Sequence, residues 1–357
     1  MTREALIRAV LSRMKAQDAP ASFPGWEDTV KFVFQALLGV GHLLAGPEET
    51  AGRIAREMAA LRADPDEPLI EPLSPAWCRL NLRRAMAEGL EPRVIAGLML
   101  ASESPLPMTR RDVYDCCGEL ARSGEGRITE EAPLERILDE GWLPSHSEAY
   151  REARHPAYRV ISADWIPCME AVARIAERQN GAGRLLITLD GPCATGKSTL
   201  ARKLARVFGG EVLHTDDFVI PHAQKTPERL AIPGGNCDAD RLAGEVARPY
   251  KAGEAVRCRR YDFMADRLLP EEEIPDTPVL ILEGSYCNLP VIRQYADLRL
   301  FLEAPWEVRE ERLRRRESPA SLQRFYDRWI PLEDAYFAAY RLPDEGQILI
   351  RSGAEGC

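Results

Sequence analysis

Two rhythms of apolar and polar positions divide the chain. From Thr2 to about Arg154, apolar residues recur three and four apart. Val30, Phe34, Leu37 and Leu38 form one run and Leu80, Leu82, Ala85 and Met86 another; after the break at Gly89 to Pro92 come Val94, Ile95, Leu98 and Met99. That spacing stacks side chains on one face of a helix. It predicts an all-α domain over residues 1–160, since no alternating strand stands out there. Pro65, Pro68, Pro72 and Pro75 cannot continue a helix and predict an extended loop from Arg62 to Pro75. Gly124 to Arg127 predicts a second, shorter connection. A helical run from Trp165 to Gln179, closed by the glycine-rich stop Asn180 to Arg184, predicts a connecting helix and linker over 161–184.

Beyond the linker the period changes. Short apolar runs rich in β-formers stand at Leu185–Leu189, Glu211–His214, Val279–Leu282, Leu298–Leu302 and Gln347–Ile350, with helical stretches between them. Strands alternating with helices predict a parallel sheet covered on both faces, hence an α/β domain over 185–357.

Composition narrows the class. A chain of 357 residues that is 45% hydrophobic and 29% charged has ample apolar surface for a packed interior. Its net charge of −9 argues against a nucleic-acid or anionic-membrane partner. No apolar run approaches the ~18 residues of a membrane span. Met1 to Lys15 mixes Arg3, Glu4, Arg8 and Arg13 among its apolar positions, so a cytoplasmic location is expected. The nine cysteines include the pair Cys116 and Cys117 but no C-x-x-C, which reads as reduced, buried thiols.

The chemistry-bearing motif follows the first strand. Gly191, Pro192, Cys193, Ala194, Thr195, Gly196, Lys197, Ser198 and Thr199 fit the phosphate-loop pattern G-x-x-x-x-G-K-[ST] at every fixed position. Glycines let successive N–H groups turn inward onto phosphate oxygens, and the helix that starts near Lys197 adds its positive end. Lys197 is expected on the β- and γ-phosphates of ATP and Ser198 on Mg²⁺. The second strand runs into Asp216 and Asp217, at the sheet edge where ligands of such folds bind. The third ends at Glu283, where a further Mg²⁺ anchor is expected. Arg309, Arg312 and Arg316 share one helical face suited to gripping phosphate, while Arg314 and Arg315 read as a solvated face.

With Thr215 to Phe218, Arg260 to Phe263 and Leu280 to Gly284, these motifs resemble the uridine kinase and phosphoribulokinase family of P-loop kinases, over roughly Leu185 to Ile350. The Asp-Asp-Phe triplet is similar to that of nicotinamide riboside kinases, and the Tyr-Asp-Phe triplet to that of uridine-cytidine kinases. The resemblance implies a P-loop kinase core in the C-terminal half beside the all-α N-terminal domain. It implies Asp216 as the base toward a sugar hydroxyl, Glu283 as an organiser of Mg²⁺, and Arg309 and Arg312 as lid residues facing phosphates and substrate. Asp238, or alternatively Asp240, matches the family's ribose-contacting aspartate, and a helix cap is the other reading of Asp238. Tyr261 either stacks on a substrate ring or packs. Met264 to Arg267 stands where uridine-cytidine kinases carry a pyrimidine-facing histidine, which speaks against a uracil substrate.

The aromatic-rich run Phe325 to Phe337 reads as core, with Trp329 and Glu333 as candidates beside the substrate. In the first half, Pro144 to Arg159 is dense in His, Tyr and Arg, and His146, Glu148 and His155 form either a second site or polar lining at a domain seam. Gly39 to His42 reads as a packed turn.

The expected function is ATP- and Mg²⁺-dependent phosphoryl transfer to a hydroxyl of a small metabolite, a nucleoside or sugar-like alcohol. The rival is a nucleotide-dependent regulatory protein whose helical half binds a partner. A third reading makes that half an enzyme in its own right.

Overall fold

The computed structural model describes residues 1–15, 24–40, 46–125, 127–129, 132–181 and 183–353. Gly41 and His42 of the expected turn, Gly126 of the short connection and Ala182 of the helix stop lie outside the described residues. The chain divides into two compact units, Met1–Ile166 and Pro167–Glu355.

In the first unit, helices α1 (Arg3–Lys15), α2 (Trp26–Leu38), α3 (Pro47–Met58), α4 (Leu82–Ala87), α5 (Pro92–Leu100), α6 (Arg110–Ser123) and α7 (Glu148–Arg154) carry most of the predicted apolar stripes. Val30, Phe34, Leu37, Ile95 and Leu98 are buried as their spacing requires. Asn81 ends the strand before α4 and caps it, its side chain accepting the N–H of Arg83 and Arg84. Ser147 caps α7 in the same way.

The all-α expectation needs one correction. A three-stranded antiparallel sheet, β1 (Ile70–Pro72), β2 (Trp77–Asn81) and β3 (Tyr158–Ser162), stands among these helices, with Trp77 opposite Ser162 and Asn81 opposite Tyr158. Four of the five β2 positions are buried, so the strand shows no alternation to read, and Leu80 belongs to it rather than to a helix. Gly39 stops α2 with φ +63°; a Cβ there would meet the Trp77 indole at 2.3 Å, so strand and helix end pack through a missing side chain.

In the second unit, helix α8 (Met169–Gln179) precedes a five-stranded parallel sheet of β4 (Leu185–Asp190), β5 (Glu211–His214), β6 (Val279–Glu283), β7 (Leu298–Glu303) and β8 (Ile348–Arg351), in spatial order β8-β7-β4-β6-β5. All five runs read from the sequence form strands. Every residue of β4 and of β6 is buried, as expected for central parallel strands. Helices α9 (Lys197–Phe208), α10 (Trp306–Arg316) and α11 (Ile330–Tyr340) carry the residues on which the site depends. Tyr336 on α11 is fully buried with Phe218, Tyr250 and Leu282, whereas Phe325 and Trp329 lie in a half-buried turn before that helix, so the aromatic run is only partly core. The eight described cysteines are free and buried, and no described helix is long and apolar enough to cross a membrane.

Candidate active site

Strand β4 is central, and where it ends the chain must turn sharply into α9. Gly191 makes the turn with φ +139°, and a Cβ on it would sit 2.2 Å from the carbonyl oxygen of Leu302 on β7. Only glycine fits that approach. Ala194 takes φ +60°, a conformation uncommon outside glycine, and Gly196 takes φ +106° immediately before the helix. These reversals give the loop the concave run of amides suited to anions.

Cations hold the loop's carbonyl side. Lys197 Nζ donates to the carbonyls of Gly191 (2.7 Å) and Pro192 (2.9 Å). From α10, Arg309 Nε donates to the carbonyl of Cys193 (2.9 Å), and Arg312 donates to those of Ala194 (3.0 Å) and Thr195 (2.7 Å). Two of the three predicted arginines therefore reach the loop. Arg316 does not: its Nε donates to Glu317 at 2.6 Å and its guanidinium lies over the Phe325 ring. Three apart on an α-helix, Arg309 and Arg312 share one face, but by Arg316 the helix is ending and the side chain turns to its neighbour.

Acids gather at the carboxyl edge. Glu283, at the end of β6, is buried and hydrogen-bonds His214 and the Ser198 hydroxyl. Burial alone would raise its carboxyl, but His214, Ser198 and Lys197 outweigh it and hold Glu283 below its usual range. The same contact raises His214 above the ordinary imidazole value. Asp216 lies in a short 3₁₀ turn after β5, crowded by protein yet open to solvent. Desolvation raises its carboxyl; Lys197 pulls it down, and Glu283, Glu333 and Asp217 push it up. Water reaching the group screens part of that rise. Asp217 pairs with Arg260 at 3.2 Å.

Asp238 is both a neighbour of this edge and a cap. Its N–H donates to the carbonyl of Phe218 at 2.7 Å, which ties it to the Asp216 turn. Its carboxylate accepts from Arg241 Nε at 2.9 Å and caps the turn Ala239–Leu242. Tyr261 is only 3% exposed; its hydroxyl donates to Asp266, and its ring meets Phe263 edge-on and the Lys225 ammonium. It is packed by these neighbours.

Beneath the loop lies a network of which the sequence reading names only Glu333, as a candidate beside the substrate. Asp190, the last residue of β4, is fully buried and accepts from Tyr336 Oη (2.7 Å), the N–H of Gly191 (2.8 Å) and Asn288 Nδ2 (3.2 Å). Glu333 on α11 accepts the N–H of Cys193 (2.9 Å) and the Ser285 hydroxyl (2.5 Å). An acid closing a buried strand, the signal that marked Glu283, was present at Asp190 as well.

In the first unit, His146 joins Asp28 through Nδ1 (2.9 Å) and Tyr158 Oη through Nε2 (2.6 Å). Burial and the Lys31 charge lower its imidazole to about 4 despite Asp28. Glu148 is exposed, and His155 lines a different cavity from His146, so the three residues read together in the sequence do not form one cluster.

Residues 235–318 match the model of the Phosphoribulokinase / Uridine kinase family. Among solved structures, a possible uridine kinase from Bacillus stearothermophilus is 22% identical over 51% of this chain and 100% of that one, with a TM-score of 0.39. A D-glycerate 3-kinase from Cryptococcus neoformans var. grubii is 14% identical over 48% of this chain and 89% of its own, with a TM-score of 0.36. No curated protein matches the chain. The family resemblance read from the motifs holds in the matched segment. The reading of the second unit as a small-molecule kinase agrees with that match.

Proposed function

We propose that this kinase unit transfers the terminal phosphoryl group of ATP to a hydroxyl of a small metabolite, a nucleoside or sugar-like alcohol. The observation that carries the reading is the meeting, at the carboxyl edge of one sheet, of the Gly191–Thr199 loop with an acid open to solvent, Asp216.

The acceptor oxygen forms a bond to the γ-phosphorus while the bond to the β,γ-bridging oxygen breaks, and ADP leaves. Asp216 takes the hydroxyl proton; its raised affinity for protons strengthens it as a base. Lys197, already within the loop, turns its ammonium to the β- and γ-phosphates. Arg309 and Arg312, which brace the loop from its carbonyl side, would stabilise the charge that develops on transfer. The Ser198 hydroxyl and the Glu283 carboxylate supply the hard oxygen donors that Mg²⁺ favours, and the pair fits a metal held mostly by phosphates and water. When bound there, Mg²⁺ supplies neutralisation of phosphate charge. Asp238 is the candidate for holding the acceptor's hydroxyls.

A screen with ATP labelled at the γ-phosphate over nucleosides, sugars and cyclitols tests the reading. The expected result is a labelled product that appears only with a particular alcohol and vanishes in Lys197→Ala. Release of phosphate at one rate whatever alcohol is added would instead favour a nucleotide-driven switch.

A further inference from the structure

The first unit carries a half-open cavity of about 540 Å³, within the size range of small-ligand sites and far larger than a lone inorganic ion needs. Its charged lining is unbalanced. Among the described residues Lys31, Arg53, Arg151 and Arg159 face it against one carboxylate, Glu57; Arg53, at the exposed rim, pairs with Glu49 outside the lining, and the imidazole of His146 is neutral at pH 7.

The acids in the neighbourhood are already committed. Glu57 accepts from Arg159 at 2.5 Å. Asp28, fully buried, accepts from His146 Nδ1, from the N–H of Ser147 (3.1 Å) and from its hydroxyl (2.6 Å). Arg151 spends its guanidinium on the carbonyl of His146, a neutral acceptor. Lys31 has no carboxylate within 4 Å among the described residues, although it is half-buried. Burial and repulsion from Arg79, Arg151 and Arg159 bring its ammonium down to about 8, with Asp28 opposing. Holding like charges together out of water is costly unless something offsets them, and an anion in the cavity would do so. The wall beyond the cations is polar but uncharged: Gln35, Ser145 and Tyr158 line it, and Tyr158 Oη is held in place by its bonds to His146 and Gln35.

We propose that this cavity binds a small phosphate monoester, its dianion among Lys31, Arg151 and Arg159 and its hydroxyl-bearing body against His146 and Tyr158. A dianion offsets more of the excess charge than a carboxylate does, and its three terminal oxygens suit guanidinium forks. Every described lining residue belongs to the first unit, whereas the phosphate loop belongs to the second.

Titration calorimetry on the full chain at low salt, with ribose 5-phosphate and with inorganic phosphate as probes, tests this. Because the phosphate loop also takes phosphate, Lys197→Ala is measured beside the wild type. Ribose 5-phosphate should still bind Lys197→Ala. Combining that variant with Lys31→Met should weaken binding about tenfold or more, and combining it with Arg53→Gln about threefold. Should Lys31→Met lose its cooperative melt, Arg53→Gln, at the exposed rim, carries the test alone. Binding that disappears with Lys197→Ala, binding indifferent to both cavity variants, or inorganic phosphate bound as tightly as the monoester would overturn the proposal.

Discussion

Glu333 Oε2 accepts the backbone N–H of Cys193 at 2.9 Å, so a buried carboxylate engages an amide of the phosphate-binding loop. A phosphate seeking that donor meets a competitor of like charge. Glu333→Gln keeps an acceptor for Cys193 or Ser285 but removes the charge. It should bind ATP several-fold more tightly, with a melting temperature a few degrees lower from the loss of a charge-assisted bond. Fluorescent-nucleotide titration and thermal melts read the two effects; unchanged affinity would mean that phosphate does not approach this amide.

Lys197→Ala removes the ammonium from the developing charge and should lower phosphoryl transfer by about 10²-fold or more. Asp216→Asn should bind ATP as before and lose transfer by a factor on the order of 10²–10⁴. Single-turnover assays separate these outcomes, because the first substitution weakens nucleotide binding and the second does not.

The pH profile follows from the direction of the Asp216 shift. The base works deprotonated and its carboxyl is raised, so kcat should fall on acidification through a value above the ordinary carboxylate range. Asp216→Asn should abolish that limb. A limb at the ordinary aspartate value would assign the proton to another group.

His214 and Glu283 link stability to pH with opposite signs. His214 is raised in the folded chain, so its contribution is complete below the unfolded imidazole value and is lost as pH rises through the folded one. Glu283 is lowered, so its contribution is present above the unfolded carboxylate value and is lost as pH falls through the folded one. The melting-temperature gap between the wild type and His214→Gln should therefore narrow from pH 6 to pH 9. The effect is modest, since solvent reaches the imidazole.

Arg312→Ala frees the carbonyls of Ala194 and Thr195. It should lower transfer by about tenfold or more and loosen the loop, measured as faster amide exchange over Cys193–Gly196. Arg316→Ala, whose side chain pairs with Glu317, should leave transfer within about twofold.

What the sequence made legible was local. The loop from Gly191 to Thr199, the acids ending β6 and following β5, and the five sheet strands each announce themselves within a dozen residues. β2 stayed hidden because burial at Trp77, Cys78, Arg79 and Leu80 erases alternation, and β1 because it spans three residues ending in Pro72. Arg79 within it is tolerated because Gln35, at 3.0 Å, and Glu71 satisfy the guanidinium. The bonds of Asp190 to Asn288 and Tyr336, and of Glu333 to Cys193, span 98 to 146 positions, a separation at which no spacing rule operates.

The contacts of α11 with Asp190 and Cys193 make the nine-residue loop a composite object. Grafted onto another strand and helix, or kept in a chain cut short before Ile330, it would lose the Tyr336 hydroxyl and the Glu333 carboxylate that fix its entry and its third residue. Deletion mapping from the carboxyl end should therefore abolish nucleotide binding well before the cut reaches any residue of the loop.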